Sequence, residues 1–156
     1  MAWKGWGEPL LTADATGVRV YSTFSFTQNA IIQAMRFRII FYNDPTLTAV
    51  TGKIYHDNGA TAPGELIASS TDSRAKAELN SDGNGLVETY LTFDKIPIRK
   101  SMSIHFVLNM TGYTGTAGSH IAWEKAYPDP VTPPSAHDYT QLLKNPFYCY
   151  PIFARL

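Results

Sequence analysis

The stretch Gly52–Ser70, GKIYHDNGATAPGELIASS, limits the possible folds more than any other part of the chain. Ile54 stands between Lys53 and Tyr55, the alternation of a strand with one buried face. Asp57-Asn58-Gly59 follows with residue types that accept a positive φ, and Pro63-Gly64 marks a second reversal. Leu66, Ile67 and Ala68 then return to apolar character. The stretch reads as strand, polar turn and returning strand. It specifies architecture, not chemistry.

The same alternation recurs on both sides of this hairpin. Val18–Thr27 sets Val18, Val20, Phe24 and Phe26 against Arg19, Tyr21, Thr23 and Ser25, and Gln28-Asn29 turns it. Ala34–Tyr42 places Met35, Phe37, Ile39 and Phe41 on one face, until Asn43-Asp44-Pro45 breaks the strand. Its other face carries Arg36 and Arg38, then Ile40 and Tyr42, so a cover is expected over the last two. Thr71–Gly85 is polar and reads as a loop, with one helical turn possible over Arg74–Glu78. Leu86–Phe93 is a strand with Val87, Leu91 and Phe93 inward, and Ile96-Pro97-Ile98 is a separate short edge segment.

Ser101–Asn109 alternates most cleanly, with Met102, Ile104, Phe106 and Leu108 in, and Ser103 and His105 out. Thr111–Gly118 is a Gly/Thr loop, and Ser119–Glu124 a short strand around Ile121 and Trp123. Four prolines make Ala126–Ser135 an extended surface loop. Ala136–Lys144 leaves room for a helix, and Phe147–Leu156 reads as a central or covered last strand. The expected fold is all-β: a two-sheet antiparallel sandwich of about eight strands. It divides into an N-terminal arm, 1–16, and a single sandwich domain, 17–156.

Composition narrows the function classes. The 156 residues suit one domain, which at this size buries roughly 68–70% of its unfolded surface without staples. A formal charge of zero removes the electrostatic case for nucleic acid or an anionic membrane as partner. Cys149 is the single cysteine, so no internal disulfide forms; between Tyr148 and Tyr150 it reads as a small buried hydrophobe. The opening MAWKGWGEP lacks a signal peptide's apolar core, which points to synthesis in the cytoplasm.

The order of segments resembles the jelly-roll sandwich modules of phage structural proteins and of secreted bacterial proteins. IYHDNGATAPGELIASS looks like their strand, Asp, Gly, Pro-Gly, Leu-Ile-Ala turn. IPIRKSMSIHFVL resembles their later pair, in which a short strand leads into the one crossing the core. YPIFARL resembles their terminal strand. The resemblance covers about two-thirds of the chain and implies a jelly-roll-like topology. It implies one of two roles: a non-catalytic part of a tail, fibre or capsid surface, assembled in the host cytoplasm, or a carbohydrate-binding module. The aromatic arm and the proline-rich late loop depart from the family pattern.

No phosphate loop, zinc-spaced Cys/His set or nucleophile elbow is present, so no enzyme is expected. His56, His105, His120 and His137 are scattered. Glu65, Glu88, Glu124, Asp129 and Asp138 read as solvated carboxylates, the alternative being a glycosidase pair across a cleft. No cofactor is expected; Asp44, Asp57 and Asn58 offer oxygens to a structural Ca²⁺, but turn formation accounts for them without an ion. Asn109-Met110-Thr111 matches a glycosylation triplet by chance.

Aromatic residues in or beside loops are the best functional lead: Trp3, Trp6, Tyr113, Tyr127 and Tyr139. Flat rings of this kind stack on sugars or anchor protein interfaces. Trp123 reads as core. Trp3 and Trp6 either pack on the chain's own sheet or dock on a neighbour. The first expectation is a homo-oligomeric structural protein of a phage virion, as capsid decoration or tail component. It assembles with itself and other virion proteins through its arm and loops. The alternative is a module that binds a surface glycan.

Overall fold

The computed structural model describes residues 7–10, 21–59, 63–79, 87–116, 118–124, 139–141 and 149–155. Eleven strands form among them: β1 Gly7–Leu10, β2 Tyr21–Phe26, β3 Ala30–Tyr42, β4 Ala49–Asp57, β5 Pro63–Ser69, β6 Arg74–Ala75, β7 Val87–Ile98, β8 Ser103–Thr111, β9 His120–Glu124, β10 Tyr139–Gln141 and β11 Cys149–Arg155. Eight of these are five residues or longer, and β1, β6 and β10 are short additions. The only helical element among the described residues is a 3₁₀ turn at Lys76–Leu79, where sequence had favoured a loop.

Two antiparallel sheets result. In sheet A, β3 pairs with β7 along one edge, and with β11 and then β9 along the other; β1 adds to β9. Sheet B runs β10-β2-β8-β4-β5, with β6 also on β4. β1 thus carries four residues of the expected arm into sheet A.

The core lies between the sheets. Sheet A contributes Ile32, Met35, Phe37, Ile39, Leu91 and Ile121; sheet B contributes Phe24, Phe26, Ile54, Ile104, Phe106 and Leu108. Period-2 alternation produces this result, since every second side chain of a strand meets the facing sheet. Aromatic pairs join the layers. Phe106 of β8 lies 6.0 Å from Phe37 of β3 and 6.3 Å from Phe93 of β7, ring centre to ring centre. Phe26 and Phe153 meet edge to face at 5.5 Å. Such pairs add about 0.5–1.5 kcal/mol beyond the area they bury.

Four local readings change in three dimensions. Pro63-Gly64 opens β5 instead of turning the chain. Ile96-Pro97-Ile98 continues β7, because a register shift between Ile32 and Ala34 lets it resume pairing with β3. Lys95, at φ 37°, sits in that irregularity. Tyr139–Gln141 is strand, where a helix had been allowed. Among the described residues β11 pairs only with β3, and Ile152 is exposed, so the last strand is neither central nor fully covered.

An open β7 edge would be a template for pairing with another chain. Residues 71–74 occupy it instead. Thr71 N donates to Thr92 O at 2.9 Å, Thr92 N to Asp72 Oδ1 at 2.8 Å, and Arg74 Nε to Tyr90 O at 3.1 Å. Arg74 also pairs with Asp72 at 2.8 Å.

Candidate functional site

The outer face of sheet A carries exposed apolar side chains in adjoining rows. Cross-strand register aligns Tyr90 with Arg36, then Thr92, Ala34 and Ile152, then Pro97 and Ile31. The inward neighbours Met35, Leu91, Ile96 and Ile98 are buried, so Tyr90, Thr92, Pro97 and Ile152 face away from the core, whereas Ala34 between the strands is itself buried. Tyr90 is 51% exposed and Ile152 39%, two of the three large apolar side chains exposed among the described residues. Arg74 lies over the Tyr90 ring at 5.3 Å and fixes its orientation. A strip of Tyr, Ile and Pro beside Arg36 has the composition of a protein-interface anchor.

Sheet B presents a different outer face. His105 follows the outward parity expected for it, yet its exposure is 0%. Register places Thr23 of β2 and Tyr55 of β4 on its two sides, with Leu66 of β5 beyond Tyr55. Its Nε2 lies 2.7 Å from Asp57 Oδ1. Burial is the largest influence on this imidazole and lowers its pKa from 6.5; the hydrogen bond to Asp57 and its charge oppose the shift. A neutral ring donates its Nε2 hydrogen to the carboxylate. Asp57 Oδ2 in turn accepts the Gly59 amide at 2.9 Å. An imidazole without exposure offers nothing to a substrate, so the pair is structural in the state described.

No protein-family model, curated protein or solved structure matches this chain.

The residues singled out by sequence fall in different places. Trp3, Trp6 and Tyr127 lie outside the described residues. Tyr139 is placed by its backbone, which pairs with Phe26. Tyr113 is 7% exposed and belongs to the core cluster, so its ring presents no open face to a ligand. Its hydroxyl accepts the Ile121 amide at 3.0 Å. Burial raises this phenol's pKa, and the hydrogen bond from Ile121 offsets part of the rise. The side chains of Trp123 and Cys149 are outside the described set, although both backbones lie in strands.

Two of the three residues offered to calcium have other partners. Asp57 is held as above, and Asp44 pairs with Lys76. Asp44 precedes β4 and Asp57 ends it, and eight steps of strand span about 26 Å. Among the described residues, no group of three His, Cys, Asp or Glu is placed to hold a metal ion. Of the carboxylates considered as a glycosidase pair, Glu65 is on sheet B, Glu88 and Glu124 are on sheet A, and Asp129 and Asp138 lie outside the described residues.

The two features that carry most of the local chemistry have no signature in the sequence pattern. Tyr90 and Ile152 share one sheet face only through pairing of both β7 and β11 to β3, which no local pattern encodes. His105 had a polar, outward position in the alternation, with no signal that the outward face would be covered.

Proposed function

We propose that the chain is a non-enzymatic structural module that assembles with copies of itself and with other proteins of a phage virion. The observation that supports this best is the outer face of sheet A, where Tyr90, Ile152 and Pro97 stand exposed beside Arg36. The two-sheet sandwich and the hairpin motif agree with the phage-module resemblance, and a jelly-roll-like topology belongs to the same reading. The tryptophans at Trp3 and Trp6 provide further anchors for a neighbouring subunit. Stable contacts of this kind bury well over ~1,000 Å² in total.

Sedimentation velocity over a concentration series tests the proposal: a species heavier than one chain supports it, and a monomer throughout contradicts it. Glycan recognition is the second reading, favoured by the same exposed Tyr90 ring held by Arg74. It requires a change in tryptophan or tyrosine fluorescence on titration with a glycan panel.

A further inference from the structure

We infer that Asp57 and His105 form an acid-sensitive latch that fastens the tip of the β4–β5 hairpin to β8. One carboxylate spans both parts: Oδ1 takes His105 Nε2 of β8 at 2.7 Å, and Oδ2 takes the Gly59 amide of the tip at 2.9 Å. Gly59 has φ +85°, a conformation that L side chains rarely adopt, so the tip geometry is specific. The backbone ladder is weak at this end. The β4–β5 register breaks between Ile54 and Tyr55 and again between Tyr55 and Asp57. The strand partner of Asp57 is Pro63, which has no amide hydrogen to give.

Acid acts on the latch through His105: a proton on its ring places a charge in a site with 0% exposure. Opening the tip returns both groups to water. Because the closed state holds His105 below its ordinary value of 6.5, the open state binds a proton more readily. The closed state is therefore fully favoured above that value and loses ground as pH falls below it. Among the described residues, the titratable groups that register places on the same face are Lys53 and Tyr55 of β4, with Ser103 and Asn109 of β8 and Leu66 of β5 beside them; the β2 segment Tyr21–Phe26 has Tyr21 as its one titratable residue. Exposed His56 is next to Asp57 and needs its own control.

Hydrogen exchange on the full chain, corrected for intrinsic rates, tests the latch between about pH 7.5 and about pH 5.5. Wild type and His56→Gln are expected to lose protection several-fold at 57–59 and 64–66, while β3 keeps its own. His105→Gln retains a donor but cannot titrate in this range, and its hairpin protection is expected to stay level. A wild-type hairpin indifferent to pH, or a loss that persists in His105→Gln, overturns the inference. Should His105→Gln not fold, proton NMR of wild type decides: hairpin amides must follow the His105 ring titration, and a ring that titrates without them overturns it.

Discussion

Gly52 of β4 lies against the ring of Phe106 on the neighbouring strand: a β-carbon there would stand 2.7 Å from Phe106 Cε2 and 3.2 Å from Leu91 Cδ1. Gly52 faces the core, where Phe106 also meets Phe37 and Phe93. The ring therefore has little room to yield. Gly52→Ala is expected to destabilise the fold by about 1–3 kcal/mol through overpacking, lowering Tm in a calorimetric scan. An unchanged Tm would show that the ring moves freely.

Tyr113→Phe keeps the ring and removes one acceptor. The Ile121 amide then loses its partner beside a core side chain. A loss of about 1–3 kcal/mol is expected in chemical denaturation, with faster amide exchange at Ile121. Equal stability of the two proteins would mean that water or another acceptor replaces the hydroxyl.

Much of the fold is legible in these patterns because alternation reports which face of a strand is buried. Phe37, Ile54, Ile104 and Phe106 occupy the core as their spacing requires. What alternation cannot report is what lies over the other face. His105 has the pattern of a solvent-facing residue and is enclosed, and Tyr113 sits in a Gly/Thr loop yet packs inward. Pro63-Gly64 has turn chemistry, but proline is also tolerated at the first residue of a strand on a sheet edge. The Tyr90–Ile152 surface depends on two long-range pairings, so neither segment announces it alone.

Global stability should follow the same buried histidine. With the folded value below 6.5, the unfolded chain binds more protons in the window between the two values. Stability then rises with pH through that window and is flat with respect to His105 above it. Urea midpoints measured across the acid range should show this rise in wild type and a smaller one in His105→Gln. A midpoint that falls with rising pH in this window would reverse the assignment of His105 as neutral.

The arm can be tested without removing β1. Truncation of Met1–Pro9 also deletes most of the strand paired with β9. Trp3→Ala with Trp6→Ala leaves that strand in place. The double variant is expected to keep its far-ultraviolet circular dichroism and to assemble less well. Full assembly in the variant would confine the interface to the sandwich body.

Light scattering coupled to size-exclusion chromatography tests the assembly account most directly, with wild type run beside Tyr90→Lys/Ile152→Lys. The account predicts a multimeric wild type and a folded variant whose mass approaches the 17.3 kDa of a single chain. A wild type eluting as a single chain at every concentration, or a variant as multimeric as wild type, would contradict it.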